Sequence, residues 1–300
     1  MVNIPMEVPL WLREEYPFRP RTFFTPGGAR MSYADEGGEA TEAVVMLHGN
    51  PTWSFFYRGL IKELSSRIRC IAPDHIGMGL SDKPQDYDYT LETRIRDVLA
   101  LIEFLQLRTV HLVVHDWGGA IGFGVATRRP ELIGKITILN TAAFISDRIP
   151  RRIALCRLPF LGSILVRGLN CFARPAVNMA MAHRKLTRVE SRGYLLPYGN
   201  WNDRVAVDGF IQDIPMEKNH RSRIVLSEIE QRLTGLDRHS ILFVWGMADF
   251  CFDGAFLNRW LELFPKASVT RLDGVGHYVL DDGGSGAVSP ILRFITGIEI

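Results

Sequence analysis

The chain has 300 residues, is 47% apolar, and carries 35 Lys and Arg against 33 Asp and Glu, a formal net charge of +2. This length fits one enlarged domain or two, and the apolar share is ample for a large core. The balanced charge argues against nucleic acid, which is usually met by a basic excess, and the cluster Arg148–Arg152 is too short to track phosphates.

At the N-terminus, Met1 to Phe18 carries Glu7, Arg13, Glu14 and Glu15 before any long apolar run, which predicts neither a signal peptide nor a membrane anchor. Arg21–Thr25 and Ala29–Tyr33 read as two short strands joined by Pro26-Gly27-Gly28, a hairpin signal. Val44–Leu47 is a continuous apolar run, as in a strand buried on both faces of a parallel sheet. It ends in His48-Gly49-Asn50-Pro51-Thr52-Trp53. A helical stretch to about Ser66, a strand at Ile68–Ala72 and a helix over Leu91–Leu105 follow.

Next comes Val113-Val114-His115-Asp116-Trp117-Gly118-Gly119-Ala120-Ile121-Gly122. Thr109–Val114 reads as a buried strand and Trp117–Arg129 as a helix, so Asp116 stands at the joint. Small residues on its helical side allow a sharp turn that lifts one side chain to the top of a sheet, the geometry of a nucleophile elbow. A lone Asp before a helix reads equally well as a helix cap, so the assignment depends on partners elsewhere. On an elbow, a carboxylate attacking sp3 carbon gives an alkyl ester of the enzyme, whereas the serine of an esterase gives an acyl ester.

After a further strand, Ile136–Leu139, the alternation stops for about a hundred residues, and Ser146–Arg232 is mainly helix-compatible. It resumes with a strand at Ile241–Trp245, a helix near Phe256–Phe264, a strand at Val269–Leu272 and a helix around Ala287–Ile295. This order predicts a mostly parallel, doubly wound α/β sheet covered on both faces. Residues 1–145 and 216–300 would form its core, and 146–215 a helical cap over the active-site edge.

Asp249 follows the strand Ile241–Trp245, and His277 follows Val269–Leu272, so a carboxylate and an imidazole stand at adjacent strand ends, where such sheets bind ligands. Nucleophile, acid and histidine in that order match the α/β-hydrolase order. Asp116, Asp249 and His277 are therefore the candidate catalytic residues.

The motifs His48-Gly49-Asn50-Pro51-Thr52, His115-Asp116-Trp117-Gly118-Gly119, Trp245-Gly246-Met247-Ala248-Asp249 and Gly276-His277-Tyr278 together resemble the haloalkane dehalogenase family of α/β-hydrolases. The likeness runs from the strand before His48 to Tyr278. It implies that the Asn50 amide and the Trp117 indole N–H hold a departing halide, and that the backbone N–H groups of Asn50 and Trp117 form an oxyanion hole. It implies displacement of halide by Asp116, then attack on the resulting ester by water that His277, oriented by Asp249, deprotonates. This scheme requires no cofactor and no metal.

In one branch of the family the acid is a Glu after the strand that precedes the cap, but here that strand ends Leu139-Asn140-Thr141. Asp249 combined with Asn50 resembles the third dehalogenase subfamily, which is similar to the OleB-type β-lactone decarboxylases. The cap segments Leu155–Pro159, Arg167–Asn170 and Gly193–Tyr198 look closer to the latter. The same triad would then turn a dialkyl β-lactone into a cis-olefin and carbon dioxide. An epoxide hydrolase would need two cap tyrosines as O–H donors. Tyr194 and Tyr198 are candidates, although Pro197 argues against a regular helix spanning both. A non-enzymatic binding module would be favoured by a damaged triad, and none of the three residues is missing.

The expected partners are a small hydrophobic substrate and halide, with no nucleic acid and no transmembrane segment. Leu158–Val166, flanked by Arg157 and Arg167, is too short to span a bilayer. Its first reading is a cap helix with one face on the core, and its second is a docking surface for a membrane, another copy or other enzymes of a pathway. Cys70, Cys156, Cys171 and Cys251 are scattered without a Cys-x-x-Cys pair, which fits unpaired thiols in a reducing, cytoplasmic setting.

Overall fold

The structure, a computed structural model, describes residues 7–298. The first six residues of the N-terminal stretch discussed above lie outside the described residues. One eight-stranded sheet has the order β1-β2-β4-β3-β5-β6-β7-β8. The strands are β1 (Arg21–Phe24), β2 (Arg30–Glu36), β3 (Glu42–Leu47), β4 (Arg69–Pro73), β5 (Thr109–His115), β6 (Ile133–Leu139), β7 (Ile241–Gly246) and β8 (Ser268–Leu272). β2 pairs antiparallel with both β1 and β4, and every other pairing is parallel. The expected hairpin and each expected strand are present, most of them longer by one to three residues.

Helices α1 (Arg58–Leu64), α2 (Leu91–Phe104) and α3 (Trp117–Arg128) alternate with the strands. Between β6 and β7 come α4 (Arg151–Cys156), α5 (Leu161–Ser163, running on as a π-turn to Gly168), α6 (Ala173–Met179), α7 (Arg188–Leu195), α8 (Val205–Gln212) and α9 (Arg221–Arg232). α9 packs back on α2 and α3. The chain closes with α10 (Gly254–Leu263), α11 (Val279–Gly283) and α12 (Ser285–Thr296). The short α11, directly after the His277 loop, is not marked by any apolar periodicity.

The parallel strands read as apolar runs because helices cover both sides of the sheet. One core surrounds Leu47, Leu112, Phe123, Phe243 and Trp260, and the other surrounds Val44, Trp53, Phe55, Leu60 and Val244. Thr187 starts α7 with a capping box: its hydroxyl accepts the Glu190 N–H at 3.1 Å, and the Glu190 carboxylate accepts the Thr187 N–H at 2.7 Å. Asp253 starts α10 by accepting the Ala255 N–H at 2.9 Å.

Candidate active site

Asp116 joins β5 to α3 with φ +52° and ψ −127°, a conformation that costs a non-glycine residue about 1–3 kcal/mol. Its surroundings hold it there. The Thr141 hydroxyl donates to the Asp116 carbonyl, and the Asp116 N–H donates to the Asn140 carbonyl at 3.2 Å. A Cβ on Gly119 would lie 1.9 Å from Thr141 Oγ1. A Cβ on Gly49, across the cleft, would lie 2.0 Å from Asp116 Oδ1, so glycine there lets the loop after β3 close on the carboxylate.

That approach places the Asn50 N–H 2.7 Å from Asp116 Oδ1, and the Trp117 N–H lies near enough to the carboxylate to favour its charged form. Burial raises the Asp116 pKa, while His277 and these two N–H groups oppose the rise. The expected oxyanion donors thus face the nucleophile's own oxygens, the position an ester carbonyl of Asp116 would occupy.

His277 Nδ1 donates to Asp249 Oδ2 at 2.8 Å, and His277 Nε2 stands 3.8 Å from Asp116 Oδ2. Burial pulls the imidazole pKa down, but Asp249 and then Asp116 pull it up, and the net shift is upward. Asp249 Oδ1 accepts the Cys251 N–H at 2.6 Å. Phe252 stacks near the His277 ring at a centroid distance of 5.9 Å. Asp116, Asp249 and His277 therefore converge as the sequence predicts.

The two expected halide donors differ. The Trp117 indole N–H has no acceptor among the described residues, and its ring packs on Phe210 at 5.4 Å. The Asn50 carboxamide is anchored by an N–H to the Val207 carbonyl of α8 at 3.0 Å, which leaves one N–H free and Oδ1 buried without a partner. Val207 carries no sequence signal for this role, because a backbone carbonyl is supplied by any residue type.

Several supporting residues are also unmarked in the sequence. Asn140 joins the ends of β6 and β7, donating to the Gly246 carbonyl at 3.0 Å and accepting the Gly246 N–H at 2.8 Å. It stands where a carboxylate would serve the other branch of the resembled family, and its amide does structural work instead. Asp282 accepts N–H groups from Ala182, His183, Arg184 and Gly276, tying the segment after α6 to the His277 loop. Burial alone would raise its pKa, but the N–H donors hold it below the usual carboxylate value. His48 is kept neutral chiefly by burial: Nε2 accepts the His75 N–H at 3.0 Å, while the Nδ1 bond to the Gly49 carbonyl at 2.8 Å opposes the shift by favouring the charged ring. Burial lowers its pKa to about 4.

Tyr194 and Tyr198 are not substrate donors. Tyr194, on α7, gives its hydroxyl to Asp281, and Tyr198, beyond the helix end near Pro197, gives its own to the Thr52 carbonyl at 3.0 Å. Tyr278 is different. It lines the cavity, and its buried hydroxyl has no partner among the described residues.

A cavity of about 530 Å³ lies above Asp116, walled by the inserted helices and by Trp117, Phe252 and His277. Its other walls are largely apolar, with Ile153, Leu155, Leu165, Phe172 and Met179 among them. The size falls within the roughly 300–1,000 Å³ usual for sites that enclose small ligands.

Residues 42–284 match the family model of the α/β hydrolase fold. The chain is 42% identical to a cis-3-alkyl-4-alkyloxetan-2-one decarboxylase of Shewanella oneidensis, over 94% of this chain and 90% of that one. It is 40% identical to a protein of the same name from Xanthomonas campestris pv. campestris, over 93% and 97%. Identity to haloalkane dehalogenase 2 of Mycobacterium tuberculosis is 28%, over 93% and 95%. Among solved structures, the haloalkane dehalogenase DbeA from Bradyrhizobium elkani superposes with a TM-score of 0.82 at 25% identity, covering 93% of this chain and 97% of that one.

Proposed function

This chain belongs to the α/β-hydrolase fold family, and from that premise we propose that it decarboxylates cis-3,4-dialkyl β-lactones, releasing a cis-olefin and carbon dioxide. The observation that carries this reading is the 42% and 40% identity to the two oxetanone decarboxylases over more than nine-tenths of the chain, against 28% to the dehalogenase. It reverses the order of the two activities expected from the motifs, where halide cleavage stood first.

The Asp116 carboxylate attacks ring carbon C4 on the face opposite the ring oxygen. The C4–O bond breaks, its electron pair goes to the freed carboxylate of the substrate, and C4 becomes esterified to Asp116. The bond from C3 to that carboxylate carbon then breaks. Its electron pair forms the C3–C4 double bond as the Asp116–C4 bond returns its pair to Asp116. Inversion at C4 followed by departure from the opposite face leaves the two alkyl groups on one side, so a cis-lactone gives a cis-olefin. No water is consumed.

Each candidate residue has a role in this scheme. The Trp117 indole and the free Asn50 N–H donate to the substrate carboxylate as the ring opens. The backbone N–H groups of Asn50 and Trp117 hold Asp116 and its ester carbonyl. The His277 imidazolium, supported by Asp249, stabilises the Asp116 carboxylate as it re-forms. The apolar cavity accepts the two alkyl chains under a cap formed by residues 146–215, and it favours losing the substrate's charge as neutral carbon dioxide. Four unpaired cysteines fit a reducing compartment, so the reading places the reaction in the cytoplasm.

Haloalkane cleavage is the second reading, favoured by the unclaimed Trp117 N–H. Here Asp116 displaces halide, Asn50 and Trp117 hold it, and water activated by His277 releases the alcohol. To separate the two, the purified protein is given a 1-bromoalkane together with a dialkyl cis-β-lactone, and products are identified by gas chromatography. Olefin with little alcohol is expected. Alcohol and bromide without olefin would replace the lactone reading with the halide one.

A further inference from the structure

We propose that the outer face of α4 to α6 is a docking surface for an anionic phospholipid bilayer. Two independent features point there. Six of the fourteen exposed large apolar side chains among the described residues, Leu155, Leu158, Phe160, Leu161, Ile164 and Leu169, fall within fifteen residues of chain. Clusters of this kind mark interaction sites, whereas isolated exposed apolar residues do not. Phe160, 89% exposed, is held at φ +60°, so the backbone adopts a conformation that bulky residues avoid while the ring faces solvent.

The second feature is charge. Residues 148–189 hold nine of the chain's 35 Lys and Arg and none of its 33 Asp and Glu, leaving 26 against 33 elsewhere. Acidic groups on neighbouring elements neutralise only part of this. Arg148 pairs with Asp253, Arg157 with Glu217 and Arg184 with Glu190. Arg151 and Arg174 make no ion pair among the described residues and are exposed, and Arg167 lies over the ring of half-exposed Trp201 at 4.7 Å. Apolar side chains set among unpaired arginines complement the interface of a membrane with anionic headgroups.

Substrate access gives the surface a purpose. Arg152, Ile153 and Leu155 of α4 line the cavity, and Leu155 is also half-exposed. Leu155 thus belongs both to the wall of the cavity and to the proposed docking face. A water-insoluble substrate dissolved in the bilayer would reach Asp116 without crossing bulk water. No helix among the described residues is long and apolar enough to cross the membrane, so attachment would be peripheral.

The test is vesicle flotation of the full chain, with equimolar phosphatidylglycerol and phosphatidylcholine compared with phosphatidylcholine alone, at about 50 mM and about 500 mM salt. We expect binding to the anionic vesicles at low salt, weakened at high salt, and little binding to the neutral ones. Phe160→Asp/Ile164→Asp and, separately, Arg151→Glu/Arg174→Glu should each lower partitioning at least ~tenfold. None of these four residues lines the cavity, so circular dichroism and turnover of a water-soluble bromoalkane or lactone serve as controls for folding. Absence of flotation at low salt, or equal flotation of wild type and both variants, would overturn the proposal. So would a wild-type dimer in light scattering that Phe160→Asp dissociates without any vesicle binding, because a second copy would then cover the face. None of these readouts depends on which substrate the active site prefers.

Discussion

Asp116 Oδ2 lies 3.8 Å from His277 Nε2, beyond hydrogen-bond reach, while His277 Nδ1 is bonded to Asp249 at 2.8 Å. The imidazole is fixed from behind and stands off the nucleophile. That spacing suits a group that stabilises charge at Asp116 or serves a molecule placed between the two, and a carboxylate, unlike a serine, needs no base to become nucleophilic.

The pH dependence follows from the two upward shifts. Asp116 must be ionised, and with its pKa raised chiefly by burial, turnover should fall as pH drops at a pH above the ordinary carboxylate range. The lactone scheme uses protonated His277, whose raised pKa keeps the proton on to higher pH, and olefin formation should decline once that proton is lost. Alcohol release from a bromoalkane needs neutral His277 and should rise over the same interval. Rates measured for both substrates across neutral to alkaline pH should slope in opposite directions, and parallel profiles would contradict these roles.

Gly49→Ala should disable the site while leaving the fold. The new Cβ would sit 2.0 Å from Asp116 Oδ1, so either the nucleophile or the Asn50 loop must move. A displacement of about 1 Å costs on the order of 10²-fold in rate. Steady-state turnover, with circular dichroism as the control for folding, checks this.

Asp282→Ala removes the acceptor for N–H groups of Ala182, His183, Arg184 and Gly276. Leaving buried donors unpaired costs about 1–3 kcal/mol for each group that water cannot reach. We expect a lower thermal midpoint, and hydrogen exchange should increase at residues 182–184 and 276–278. Unchanged exchange there would show that the clasp is not needed.

Acid should destabilise the protein through His48. Its folded pKa of about 4 lies below the ordinary 6.5, so the unfolded chain binds the extra proton. This contribution is complete above pH ~6.5 and is lost as pH falls toward 4, at up to about 1.4 kcal/mol per pH unit. Urea unfolding at pH 7 and pH 5 should show the loss, and His48→Asn should reduce it.

The parts legible in the sequence are those written in periodicity and in residue type. Apolar runs such as Val44–Leu47 and Ile241–Trp245 specify buried strands, and Asp116, Asp249 and His277 fall at strand ends as the alternation requires. The remainder depends on contacts between distant segments. The Asn50 side-chain amide is anchored by the Val207 backbone carbonyl across 157 positions, and the clasp by Asp282 joins residues about a hundred apart. The structural use of Asn140 likewise appears only when β6 and β7 lie side by side. Composition at a single position records none of these.

The central claim is that Asp116 is the covalent nucleophile of lactone decarboxylation, bonded to C4 and then released unchanged. Asp116→Ala, verified as folded by circular dichroism, should be assayed for olefin from a cis-3,4-dialkyl β-lactone by gas chromatography. The account predicts loss of about 10⁴-fold or more in the rate of olefin formation. Olefin formation within about tenfold of wild type would contradict it, since the ring would then open without a covalent bond to this residue.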